Sequence, residues 1–171
     1  MVSDSRNIVL VGFMGTGKTT VGKLLAEDMG RVFVDLDDAI VEQAGISIPE
    51  LFESRGEEGF REVERAVVVA EAAGSGKVIS CGGGIVKNPE NIELLAERGE
   101  LVCLTAKPET ILERVGSDSN RPLLAGENRL ARIRALLDER APLYAQIKRH
   151  VATDGRSPAQ IATAVQKVIE R

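Results

Sequence analysis

Gly12-Phe13-Met14-Gly15-Thr16-Gly17-Lys18-Thr19 fits G-x-x-x-x-G-K-[ST], the pattern of a phosphate-binding loop. Each residue type has a task there. The glycines let the backbone wrap closely round an anion with its N–H groups turned inward. Lys18 is a point charge for β- and γ-phosphates, and the Thr19 hydroxyl is a ligand for Mg²⁺. Gly15, Thr16, Gly17, Lys18, Thr19 and Thr20 are therefore the expected nucleotide contacts, with Lys18 catalytic. The alternative is a glycine-rich turn with a chance lysine, and the flanks argue against it. Ile8-Val9-Leu10-Val11 is an unbroken apolar run of the kind found in a strand buried on both faces. After the loop, Val21, Leu24, Leu25 and Met29 recur at helical spacing, with Gly30 as a stop. The helix adds the positive end of its dipole to the anion site. The chain is read as binding a nucleoside triphosphate.

The elements that must position this loop follow in regular alternation. Val32-Phe33-Val34-Asp35 is a second short strand ending in an acid, and Asp35 to Asp38 begins a helix that ends near Gly45. Ser47, Pro49 and Glu50 mark the cap and first turn of a short helix, which Gly56 breaks before a longer one carrying Phe60, Val63, Val67 and Ala70. Val78 to Cys81 is a third strand running into Gly82-Gly83-Gly84, where three glycines suggest close backbone approach to a ligand, or simply a tight turn. Asn88-Pro89 opens a helix, Leu101 to Leu104 is a fourth strand, and Pro108 opens another helix. Gly116 to Asn128 has no apolar period and is a loop of about a dozen residues, long enough to suspect function. Leu130, Ile133, Leu136 and Leu137 define a helix that Pro142 is expected to kink or restart. Val151 to Thr153 is a brief fifth strand, and the last helix begins at Pro158. This alternation predicts an α/β fold, a five-stranded parallel sheet with helices on both faces, in one domain spanning 1–171. Ligands sit at the carboxyl ends of such strands, which places the loop, Asp35, Asp37 and the triple glycine on one rim.

Bulk properties narrow the partners. A formal net charge of −4 argues against nucleic acid or an anionic membrane as the main partner. Cys81 and Cys103 lie in apolar runs without metal-ligand spacing and read as buried thiols of a reducing compartment. The first apolar run is too short for a signal peptide, and no stretch approaches the ~20 apolar residues of a membrane span. A cytoplasmic protein is expected. Thr105-Ala106-Lys107-Pro108-Glu109 does not fit the N-K-x-D motif of guanine-specific switches, and the chain is too short for motor or assembly ATPases. A small-molecule kinase fits what is left.

In its combination of motifs the chain resembles the shikimate kinases over nearly its whole length. The residues that carry the resemblance are the loop at 12–19, Asp-x-Asp at 35–37, Gly-Phe-Arg-x-x-Glu at 59–64, Gly-Gly-Gly at 82–84, Arg-Pro-Leu-Leu at 121–124 and Arg-Ala-Pro-Leu-Tyr at 140–144. The resemblance implies a phosphate-loop fold like that of nucleoside monophosphate kinases, with a lid at about 116–128 and substrate-binding helices at about 37–73. It implies Mg²⁺-dependent transfer of the ATP γ-phosphate to the 3-hydroxyl of shikimate by a monomer. Asp37 would bind and orient that hydroxyl, with a helix N-cap as its alternative role. Asp35 would hold Mg²⁺ through water, or be a plain strand-terminal turn acid, and Ser80 could serve near the metal. Arg61 and Arg140 would grip shikimate, because a guanidinium fork matches a carboxylate. Spacing alone reads Arg61 as a surface helix residue paired with Glu64. Gly82, Gly83 and Gly84 would line the acceptor pocket, Gly83 foremost. Arg121, in the lid, would be a catalytic cation on the γ-phosphate, and Arg114, Arg156 and Pro158 would frame the adenine. Two rivals are open: a gluconate-type kinase, separable by parallel rate assays, and a nucleotide-binding regulator, which would show no acceptor-stimulated ADP release.

Overall fold

The computed structural model describes residues 5–116 and 127–171. Its centre is β1 (Asn7–Gly12), flanked by β3 (Lys77–Ser80) and β4 (Gly99–Thr105), with β2 (Val32–Asp35) and β5 (Arg149–Ala152) outermost. The order is β2-β3-β1-β4-β5 and every pairing is parallel. The strands before β4 build one side of β1 and the later ones build the other. The crevice of this switch point therefore opens at the carboxyl end of β1, where the phosphate loop begins. Register levels the rim: Ser80 pairs with both Leu10 and Asp35, and Gly12 pairs with Leu104.

The apolar run of β1 serves two cores. Ile8 and Leu10 pack with Val21 and Leu25 of α1 (Lys18–Met29) and with Ile161 and Val165 of α7 (Pro158–Ile169). Val9 and Val11 face the opposite core. It receives Leu36 of α2 (Leu36–Ala44), Val67 of α3 (Ile48–Ala72), Leu95 of α4 (Pro89–Arg98), Ile111 of α5 (Pro108–Val115) and Ile133 of α6 (Arg129–Tyr144). Helices on both faces satisfy a sheet that is apolar on both faces.

The helix starts follow their capping residues: Ser47, Asn88 and Ser157 each accept a backbone N–H of the first turn, and Ser157 and Gln160 close a capping box. α3 is two helical pieces joined at Gly56, whose φ of 68° ends the first piece, as its glycine predicts. Pro142 departs from expectation. α6 runs through it and ends only at Tyr144, so the helix does not restart there. The lost N–H falls in the last turn, where a single missing bond is tolerated. Also unforeseen is a 3₁₀ turn at Ile85–Lys87 after the triple glycine.

Candidate active site

The phosphate loop runs from β1 into α1 and lines a cavity of about 390 Å³. Its backbone is closed by Thr16, whose hydroxyl donates to the Phe13 carbonyl at 2.7 Å. Lys18 is 9% exposed, and its ammonium donates to the carbonyls of Gly12 at 2.6 Å and Phe13 at 3.0 Å. The ammonium is thus already desolvated, and it lines the cavity from the loop side. Thr19 and Thr20 line the same cavity.

Asp35 and Asp37 divide the work at the end of β2. Asp35, not Asp37, is the N-cap of α2: its Oδ1 accepts from the N–H of Asp37 at 2.9 Å and of Asp38 at 3.2 Å. Its Oδ2 accepts from the Thr19 hydroxyl at 3.0 Å. The turn-acid role and the rim position therefore coexist in Asp35. Ser80 stands beside it by register. These are all hard oxygen groups, and among the described residues no cluster of three or more His, Cys, Asp or Glu side chains could hold a metal by itself. A small hard cation that takes much of its shell from phosphates and water fits such a set. Asp37, released from capping, lies in the first turn of α2 and lines the cavity.

A second cavity, of about 420 Å³, lies against α3, the triple glycine and α6. One wall is apolar, with Ile48 and the stacked rings of Phe52 and Phe60, 4.7 Å between centroids. The polar wall holds Arg61 and Arg140. Arg61 is paired, with Nη1 2.7 Å from Glu64 Oε1 and Nη2 3.6 Å from Glu57. Glu64 is 2% exposed, so the pair predicted by spacing is real but is not a surface pair. Burial raises the Glu64 carboxyl above its usual value, and the Arg61 guanidinium pulls it partly back. Arg140 is also 2% exposed, yet its Nε and Nη1 have no hydrogen-bond partner. It stacks over Phe13 at 5.4 Å. A buried cation with two idle donors, facing a cavity, calls for an anion.

The triple glycine closes the space between these groups. A Cβ on Gly82 would stand 2.8 Å from Asp37 Oδ1, one on Gly83 3.5 Å from Arg140 Nη1, and one on Gly84 3.0 Å from Arg61 Nη2. Gly82 and Gly84 thus let backbone approach a charged side chain more closely than a Cβ would allow, whereas at Gly83 a Cβ would meet Arg140 at ordinary contact distance. Met14, Asp37, Gly82 and Gly83 line both cavities, so the two spaces meet at Asp37.

Arg114, Arg156 and Pro158 also line the phosphate-loop cavity, together with Ile161, and none of them lines the second. Arg114 is held by its edges, Nη1 donating to Gly15 O at 3.1 Å and Thr153 Oγ1 at 2.9 Å, and Nη2 to Thr153 O at 2.9 Å. Arg121 lies outside the described residues, as does most of the 116–128 loop. Its two described ends are tied by Arg129 donating to the Gly116 carbonyl. Sequence reasoning missed Met14, Phe52 and Glu57 as lining residues, and missed Tyr144, which donates to Gly83 O at 2.7 Å. The helical stripe marks Phe60 only as a core residue. No residue-type signal separates a pocket aromatic from a core aromatic on one helix stripe. Both cysteines are buried, as expected; desolvation raises both thiols, Cys103 to about 11.

Comparison with known proteins points one way. The family model of the shikimate kinases matches residues 14–170. The shikimate kinase of Geobacter sulfurreducens is 48% identical over 163 residues, covering 95% of this chain and 90% of that protein. The solved shikimate kinase from Acinetobacter baumannii in complex with shikimate superposes with a TM-score of 0.92 at 40% identity, covering 96% and 93% of the two chains. A gluconokinase from Sinorhizobium meliloti, at TM-score 0.60 and 17% identity over 96% and 94%, shares the fold alone.

Proposed function

The chain belongs to the shikimate kinase family, and from that premise we propose how its residues transfer the γ-phosphoryl of ATP to the 3-hydroxyl of shikimate, giving shikimate 3-phosphate and ADP. The product serves chorismate and aromatic amino acid synthesis. The observation that carries the reading is the junction of the cavities at Asp37. An acceptor hydroxyl bound there faces the space in which the phosphate loop holds the donor.

ATP takes the phosphate-loop cavity, its phosphates on Gly15 to Thr20 and its adenine against Arg114, Arg156 and Pro158. Lys18 exchanges its loop carbonyls for phosphate oxygens as charge develops. Shikimate takes the second cavity. Its carboxylate satisfies Arg140 and shares Arg61, while its ring lies on the apolar wall. Asp37 orients the 3-hydroxyl and is the group placed to accept its proton. Phosphoryl transfer asks the protein chiefly for positioning and electrostatics, and this chain supplies both from the strand ends and the helices that follow them. Mg²⁺ would be held by Thr19 and, through water, by Asp35 and Ser80; when bound it neutralises charge on the phosphates. Arg121 acts as a cation in cis, worth about 10³–10⁵ in rate in related sites. The 171 residues act as one kinase domain, a cytoplasmic monomer, with 116–128 as a lid that excludes water and 37–73 as the acceptor-binding helices. Among the described residues no helix is long and apolar enough to cross a membrane.

The test is coupled ADP release with Mg²⁺ and ATP, with and without shikimate, and with gluconate in parallel. ADP release stimulated by shikimate alone is expected. Equal stimulation by gluconate, or none by shikimate, overturns the reading.

A further inference from the structure

Thr153 is the last residue before the turn that carries Arg156 and Pro158, and it is completely buried. Its hydrogen bonds reach three other segments. Its N–H donates to Thr105 O at 2.8 Å and its hydroxyl to the same carbonyl at 2.9 Å, which pins it to the end of β4. The hydroxyl and the carbonyl of Thr153 each accept from Arg114, at 2.9 Å in both cases. The carbonyl also accepts from the Arg156 N–H at 3.3 Å. Arg114 in turn donates to Gly15 O. One hydroxyl therefore sits between the strand end, the phosphate loop and the turn bearing the other base-side residues.

We propose that Thr153 is a positioning residue for the nucleotide: its hydroxyl fixes the Arg114 guanidinium at a set distance from both the phosphate loop and the Arg156–Pro158 turn. The inference rests on the reading of this cavity as the ATP site. The physics is one of pre-organisation. Arg114 spends its edges on Gly15 and Thr153, which leaves a flat guanidinium face held in one orientation for a planar base. Without the hydroxyl, Nη1 keeps only the longer bond to Gly15, and the plane can rock. Ordering it again on binding then weakens affinity at the base end. The phosphate contacts, which come from the loop backbone and Lys18, do not depend on it.

The test is Thr153→Val, which is nearly isosteric and spares the N–H bond to Thr105 O, so that carbonyl keeps a partner. Binding of ADP and of inorganic tripolyphosphate is measured by calorimetry, with the KM values for ATP and shikimate alongside. ADP affinity and the ATP KM should worsen about tenfold, the low end for a hydrogen bond to a charged group. Tripolyphosphate affinity and the shikimate KM should stay within about twofold. Thr153→Ser should restore ADP binding. In an Arg114→Ala background the Thr153→Val change should add almost nothing, because the hydroxyl acts through Arg114. Unchanged ADP binding in folded Thr153→Val, or equal losses for ADP and tripolyphosphate, overturns the inference. If Thr153→Val does not fold, Thr153→Ser failing to match the parent overturns it too. Failure of the parent itself to bind ADP would instead sink the nucleotide-site reading.

Discussion

Arg140→Met separates a binding group from a structural one. In the ligand-free protein Arg140 is buried with Nε and Nη1 idle. Each unsatisfied buried donor costs about 1–3 kcal/mol, so the pair costs about 2–6. Stacking over Phe13 returns about 0.5–2 kcal/mol. The balance says that the guanidinium destabilises the empty site. Met fills similar length with a flexible apolar chain and leaves nothing unpaired. The variant should therefore melt at or above the parent, each kcal/mol of that balance raising the midpoint by about 2–4 °C for a chain of this size. Acceptor binding should move the other way. Two charge-assisted bonds to a carboxylate contribute about 1.5–3 kcal/mol each, so their loss weakens shikimate by about 10²–10⁴. ADP binding should be unchanged. Differential scanning calorimetry and titration with each ligand measure all three quantities. A variant that melts several degrees lower and loses both ligands would show Arg140 to be a structural residue. Shikimate affinity within threefold of the parent would remove the carboxylate from this cavity.

The other predictions probe the remaining groups. The raised Glu64 pKa gives a stability contribution fully present below its usual 4.5 and lost as pH rises through the raised value. Glu64→Gln should therefore gain on the parent in denaturant unfolding near neutral pH, with the advantage fading on acidification below the usual value; a constant difference across pH would refute this. Gly82→Ala places a Cβ 2.8 Å from Asp37 Oδ1, and a displaced Asp37 should lower kcat by roughly 10² with ADP affinity intact. Normal turnover in that variant would remove Asp37 from the reaction. Arg121→Ala should lower turnover by about 10³ or more while ATP binds within a few-fold, and near-normal kinetics would make Arg121 a solvated loop residue.

The fold was legible because its signals are local and mutually consistent. Four consecutive apolar residues in β1, helix stops at Gly30 and Gly45, and caps at Ser47, Asn88 and Ser157 each act over a few residues, and all agree on alternation. Pro142 misled because the rule against proline inside helices takes no account of how near the end it lies. The phosphate loop was legible for the same local reason, since its chemistry and its turn share one run of residues. The second cavity was not. Phe52 and Phe60 stack on each other to make its wall, and nothing in a helical stripe tells a wall from a core.

The two arginines show where local reasoning ends. Arg61 has a partner at i+3, so spacing describes its free state correctly and on that ground would dismiss it as an ordinary ion pair. Yet Glu64 is buried, and its carboxylate holds the Arg61 fork at the cavity wall. Arg140 keeps two donors, Nε and Nη1, without a partner, and its importance lies in that lack, which depends on Phe13, Gly83 and α6 packing round it from distant parts of the chain. The pair divides acceptor recognition by electrostatics. Arg61 is largely neutralised before substrate arrives and mainly shapes the site, whereas Arg140 carries the uncompensated charge that an anionic acceptor completes. An acceptor lacking a carboxylate should accordingly lose more at Arg140 than at Arg61, because a buried donor left unpaired weighs more than a bond exchanged for another.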